Sequence, residues 1–219
     1  MSKQHQLPNK IINFNSAYKD FHQKPDEDDI ANFPSPVIAI LFGNVNCGKS
    51  RLIKNILVHK APVYERIVIY TPLEETNEYD DVEAELINEI PDLSFFDKDI
   101  INCLILEDID PKNLTRAERA RLSALFRLGA SHKNIDIYNI SQDPNDLLPV
   151  LRRLANVVIM WENCDLVQMA RMAKKLNIDV YRLKHVFNNI CTDRCDSFCI
   201  SDITPKQRFR KNLLEPINL

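Results

Sequence analysis

The chain has 219 residues, 45% of them hydrophobic, with 28 basic and 31 acidic side chains and a formal net charge of −3. That length and apolar content can bury one substantial core, which argues for a single domain with extended ends and against a second folded domain. The net charge gives no global attraction to nucleic acid, so any such contact must come from local basic patches.

Residues 1–33 are polar, with Pro8, Pro25 and an Asp-Glu-Asp-Asp run at 26–29, and read as a partly disordered N-terminal arm. The opening MSKQHQLPNKIINFNS has no apolar core of signal-peptide length, and no apolar run approaches the roughly 18 residues of a membrane helix, so a soluble protein with no membrane-spanning segment is expected. The folded domain is expected over 34–203, and its first strand is the apolar run Val37–Phe42.

That strand runs into Gly43-Asn44-Val45-Asn46-Cys47-Gly48-Lys49-Ser50, a match to the phosphate-binding pattern G-x-x-x-x-G-K-[ST]. The chain holds only three glycines, where average usage would give roughly fifteen, and two of them are in this loop. They allow a tight turn that brings backbone N–H groups against phosphate oxygens, at the positive end of the helix that starts with Arg51 and Leu52. Gly43 to Ser50, with Arg51 as the next residue, form the candidate nucleotide-binding set. Lys49 is expected to reach the β and γ phosphates, and Ser50 to ligate Mg²⁺ through its hydroxyl.

A second strand is expected at Arg66–Tyr70, ended by Thr71-Pro72. Residues 74–99 carry eight acidic side chains between Glu74 and Glu89 and read as a solvated helix face. A third strand, Asn102–Leu106, ends in Glu107-Asp108. Thr115 and Glu118 then form a capping-box pattern that opens a basic helix running to about Leu128, with Gly129 placed to end it in the left-handed conformation. A fourth strand, Ile135–Ile140, ends in Ser141-Gln142, a helix starts near Asn145, and Asn156–Trp161 is a fifth strand. Helical spacing recurs at Leu166 to about Asn177 and from Tyr181 to Asn189, before a last strand, Phe198–Ile200. Strands alternating with helices imply an α/β fold with a mainly parallel central sheet covered on both faces.

In such a sheet ligands bind beyond the carboxyl ends of the strands, so Lys49 and Ser50, Glu107 and Asp108, and Gln142 should converge on one nucleotide. Two acids after an apolar strand suit a Mg-nucleotide hydrolase. By position Glu107 takes the metal role and Asp108 the base role; a one-residue shift of the strand end would give the metal to Asp108 and leave Asp110 or a distant group as base. Gln142 is placed to sense the γ-phosphate or position water.

These elements resemble the viral genome-packaging ATPases of the FtsK/HerA class, the poxvirus-type family, over about Pro34 to Cys199. The distinctive stretch is Leu125-Phe126-Arg127-Leu128-Gly129-Ala130-Ser131-His132-Lys133-Asn134-Ile135, followed after a short strand by Ser141-Gln142. The resemblance implies a P-loop NTPase three-layer sandwich that hydrolyses ATP with Mg²⁺ as a ring of its own copies and drives double-stranded DNA into a preformed capsid. It further implies partners among capsid vertex proteins, and a location in the host cytoplasm, at virus assembly sites or on the virion. Two departures stand out. The acids are in the order Glu-Asp, and the neighbours of Gly129, one of which is often basic in the family, are Leu128 and Ala130. An arginine acting in trans on the transferred phosphoryl group is therefore Arg127, Arg119 or Arg121; Arg127 is the candidate taken into the catalytic set.

The cysteines at 47, 103, 164, 191, 195 and 199 are scattered, unlike a disulfide framework, and are expected to be reduced inside a cell. His185 with Cys191, Cys195 and Cys199 raises a zinc site, but the spacing is not the paired C-x₂-C, which favours ordinary thiols. Residues 204–219 read as a basic tail with Lys206, Arg208, Arg210 and Lys211, able to meet DNA phosphates or a neighbouring subunit. A nucleoside or nucleotide kinase, and a nucleotide-dependent assembly switch with little turnover, are the rival readings.

Overall fold

The computed structural model describes residues 36–60, 64–72, 78–143, 148–162, 170, 173–174, 176–202 and 208–218. The N-terminal arm expected at 1–33 and most of the helix expected at 166–177 fall outside them, although Ala173 and Leu176 are buried.

Six strands run parallel: β1 (Ile38–Phe42), β2 (Arg66–Tyr70), β3 (Glu85–Ile87), β4 (Asn102–Glu107), β5 (Ile135–Ser141) and β6 (Val157–Trp161). Three more, β7 (Ser197–Ser201), β8 (Phe209–Lys211) and β9 (Glu215–Pro216), continue the sheet antiparallel from β6. The order among the described residues is β3-β2-β4-β5-β1-β6-β7-β8-β9. The central strands are buried along their length apart from Glu107 at the end of β4, as continuous apolar runs require when both faces are covered.

Alternate residues of each strand feed two apolar clusters. On one face Ala39, Leu41, Ile105, Tyr138 and Ile159 meet Leu52, Ile53, Ile56 and Leu57 of α1 (Lys49–His59), and each such side chain contributes about 1.5–3 kcal/mol by leaving water. On the other, Ile40, Phe42, Leu104, Leu106, Ile137 and Met160 meet α2 (Arg116–Ala124), α4 (Pro149–Leu154) and α5 (Val180–Asn189) through Leu122, Leu151, Leu183, Val186 and Phe187. The result is the expected three-layer α/β sandwich with a mainly parallel sheet.

At the amino end of the sheet Asp136 is buried and accepts hydrogen bonds from Val37 N and the Tyr64 hydroxyl, both at 2.8 Å, with the Lys60 ammonium 3.3 Å away. This network pins the end of α1 to β1 and β5, and so fixes the base on which the phosphate loop stands.

Three expectations are corrected. The acidic stretch is not a helix: among its described residues it forms a turn at 78–81, the edge strand β3 and a 3-10 turn at Leu93–Phe95. Long-range burial of Tyr79, Ile90 and Phe96 overrides local charge there. Gly129 does not end its helix. The capping box at Thr115 and Glu118 forms as expected, but α2 passes through a π-turn at Leu125–Gly129 into α3 (Ala130–His132), with Gly129 at φ −58°. A Cβ at Gly129 would stand 3.2 Å from Ile135 Cδ1, so glycine is there for close helix-to-strand approach, and Asn134 takes the left-handed conformation at φ 50°. Finally, Phe209–Lys211, read as tail, are strand β8; Arg210 is buried and Phe209 stacks on Phe198 at 6.0 Å.

Candidate functional site

The phosphate loop leaves β1 at Gly43, whose N–H donates to Ser141 O (3.3 Å). A Cβ there would lie 2.8 Å from Cys47 Sγ and 2.9 Å from Trp161 Cβ, so no larger residue fits without displacing the loop. Asn46 and Gly48 turn the chain with φ 61° and 103°, and Leu52 N bonds back to Gly48 O (2.9 Å) to start α1. Gly48 is at the one phosphate-loop position where an L side chain would be strained most. The Lys49 ammonium folds over the loop, donating to Gly43 O (2.7 Å) and Asn44 O (2.8 Å). Both acceptors are loop carbonyls, with which a bound phosphate would compete for the ammonium.

Lys49 opens onto a cleft of about 570 Å³ lined by Val45, Asn46, Gly48, Lys49, Ser50, Arg51, Thr71, Pro72, Glu78, Glu107, Asp108, Ile140, Gln142 and Cys195. The sequence-derived residues Lys49, Ser50, Glu107, Asp108 and Gln142 thus share one cavity. Asn44 and Cys47 belong to the loop, but Cys47 is buried beneath it, where burial pushes its thiol pKa up.

The two acids part company at the end of β4. Glu107 is the last strand residue, half-buried, and accepts from the Tyr79 hydroxyl (2.5 Å). Burial, reinforced by Glu78 and Asp108 and opposed by Tyr79 and Lys49, raises its pKa to about 7. The Tyr79 phenol also meets the Ser50 side chain, so one buried hydroxyl joins Ser50 and Glu107. Asp108 turns outward at φ 41°, a conformation that costs on the order of 1 kcal/mol in a non-glycine residue, and its carboxylate accepts from Gln142 Nε2 (3.4 Å). Asp110 instead closes its own turn, accepting from Lys112 N (2.9 Å) and Asn113 Nδ2 (2.9 Å).

Arg127 is exposed on the π-turn and is not among the cleft residues. Arg121 bonds Ile90 O (3.2 Å) and pairs with Asp92 (3.4 Å), and Arg119 reaches Lys112 O (3.5 Å). Cys191 and Cys199 belong to opposite apolar faces of the sheet, so they cannot share an ion with Cys195. No group of three or more His, Cys, Asp or Glu side chains among the described residues is placed to hold a metal ion.

Tyr79, Glu78, Thr71 and Cys195 are cleft or cleft-contact residues that the sequence reading missed. Only Tyr79, a lone aromatic in an acidic run, carried a local sign of burial.

No protein-family model matches the sequence, and no curated protein matches it. Solved structures with the same fold include the DNA-packaging ATPase of Sulfolobus turreted icosahedral virus, 16% identical, with a TM-score of 0.58 over 90% of this chain and 100% of that one. The genome-packaging NTPase of Sulfolobus turreted icosahedral virus 2, solved with ATP-γS, is 15% identical, with a TM-score of 0.53 over 88% and 100%. The conjugation coupling protein TcpA of pCW3, also with ATP-γS, is 13% identical, with a TM-score of 0.55 over 86% of this chain and 62% of that one.

Proposed function

We propose that the protein is an ATPase that drives double-stranded DNA into a viral capsid. The observation that carries the reading is the order of the strand tips. β5 lies between β1 and β4, so Gln142 stands between the phosphate loop and the acids, and all three face the same cleft. That arrangement suits hydrolysis, in which a water must be held in line with the terminal phosphate.

In this reading the loop N–H groups and Lys49 bind the phosphates. Ser50 and Glu107, joined through Tyr79, offer a hydroxyl and a carboxylate on one side of the cleft, oxygen donors of the kind Mg²⁺ takes together with phosphates. Bound Mg²⁺ would neutralise charge on the phosphates. Asp108 and Gln142, paired on the other side, orient the attacking water, and Asp108 accepts its proton. Lys49 must leave Gly43 O and Asn44 O to reach the phosphates. The fold shared with a DNA-packaging ATPase and a genome-packaging NTPase supports the motor reading, as does the motif resemblance, which adds other copies of the chain in a ring and capsid vertex proteins as partners.

ATP turnover with and without duplex DNA tests the proposal. DNA should stimulate phosphate release, and Lys49→Ala should abolish it. Phosphate transfer to a nucleoside instead would make the protein a kinase, and nucleotide binding without turnover would make it a switch. Hydrolysis by Lys49→Ala at the wild-type rate would remove the site altogether.

A further inference from the structure

Along the sheet order, the acids crown β4, Gln142 crowns β5 and the phosphate loop crowns β1. Next come Trp161, the last residue of β6, and its antiparallel partner Ser197, the first of β7. The segment 190–196 therefore stands across the phosphate loop from the acids. Three inter-strand steps from β4 to β6, and one more to β7, place it about 19 Å from the β4 tip.

This segment is tied to the loop and to the sheet. Arg194 Nη2 donates to Val45 O (3.1 Å), and Trp161 Nε1 donates to Cys195 O (3.2 Å). Behind it, Asp196 accepts from Lys211 Nζ (2.8 Å) and Asn212 Nδ2 (2.9 Å), so the last strands brace it. The wall it completes differs from the acid end. Val45 is 57% exposed, Cys195 is the one described cysteine that is not buried, and the Arg51 and Arg194 side chains are exposed. An apolar surface beside guanidinium groups takes the face of a flat aromatic ring, by contact and cation–π attraction.

We propose that the ribose and base of the bound nucleotide lie at this end of the cleft, walled by Val45, Arg51 and Cys195, with Arg194 beside them at the rim, where it bonds Val45 O. The inference rests on the cleft being a nucleoside-triphosphate site. With the terminal phosphate at Asp108 and Gln142 and the phosphate chain over Gly48, Lys49 and Ser50, the remainder of the molecule extends toward Cys195. Arg194 is a recognition residue for the nucleoside, held in place by the phosphate loop itself.

The test is the rate at which N-ethylmaleimide alkylates Cys195 in the full chain, read by peptide mass spectrometry, with thermal shift reporting occupancy in the same samples. A non-hydrolysable ATP analogue should slow the modification by roughly tenfold or more, while inorganic tripolyphosphate, at a concentration giving a similar thermal shift, should leave it nearly unchanged. Arg194→Ala should weaken the ATP analogue by roughly tenfold and tripolyphosphate hardly at all. If the analogue raises the melting temperature and Cys195 still reacts at the unliganded rate, the inference fails and the phosphate site stands. Equal weakening of both ligands by Arg194→Ala also overturns it, since that places Arg194 on the phosphates. If neither ligand shifts the melting temperature, the nucleotide reading itself falls, and this inference with it.

Discussion

Glu107 carries the most informative single charge in the molecule. Its carboxyl titrates near ordinary values in the unfolded chain but at about 7 in the fold, because burial disfavours the anion. The native state therefore holds the proton longer, and the contribution to stability is complete below the unfolded pKa and lost as pH rises through 7. Chelator-treated protein should lose on the order of 2 kcal/mol between about pH 4.5 and pH 7 in denaturant titrations, and Glu107→Gln should flatten that slope. Tyr79→Phe removes the donor that favours the carboxylate, so in that variant the decline should continue above pH 7. An unchanged profile in Glu107→Gln would assign the slope to other groups. The acid pair was legible from its position after an apolar strand; its division into a Tyr79-bound member and a Gln142-bound member was not, because Tyr79 is 28 residues away in sequence.

Among the elements, the α2 to α3 segment shows how a glycine can be read correctly as special and wrongly as to why. Both a helix end and a close packing contact call for glycine, and the residues around Gly129 do not distinguish them. Contact with Ile135 and Ile137 does. Gly129→Val should therefore lower stability by about 2 kcal/mol through overpacking against β5, seen as a fall in melting temperature, while Gly129→Ala should be tolerated far better because the helical φ suits alanine. The same logic explains β3: its three residues are exposed or half-buried and unremarkable alone, and they become a strand because β2 offers an unpaired parallel edge at Val68–Tyr70.

For the molecule as a whole, the open question is what completes the cleft. Arg127 is exposed, and among the described residues no hydrogen bond or ion pair engages its guanidinium, whereas Arg119 and Arg121 both make contacts within the chain. Of the three candidate arginines, Arg127 is therefore the one we propose to act on the cleft of a neighbouring copy. Arg127→Ala should lower turnover by on the order of 10³-fold with little change in nucleotide affinity or melting temperature. Arg121→Ala should instead lower the melting temperature. Mixing Arg127→Ala with Lys49→Ala protein should restore part of the activity, since some interfaces would then pair an intact arginine with an intact phosphate loop. Two inert proteins that stay inert when mixed would place Arg127 outside the reaction.

The sequence by itself determined the phosphate loop, the strands that carry it and the residues at their tips, because each depends on contiguous residues: glycines where the backbone must turn, apolar runs where both faces are covered. Tertiary structure alone decided that β5 separates the acids from the loop, that Tyr79 joins Ser50 to Glu107, and that the basic end of the chain braces the far wall of the cleft through Asp196. Those features come from pairing and burial between segments far apart in the chain, and such contacts leave no periodic trace in either partner.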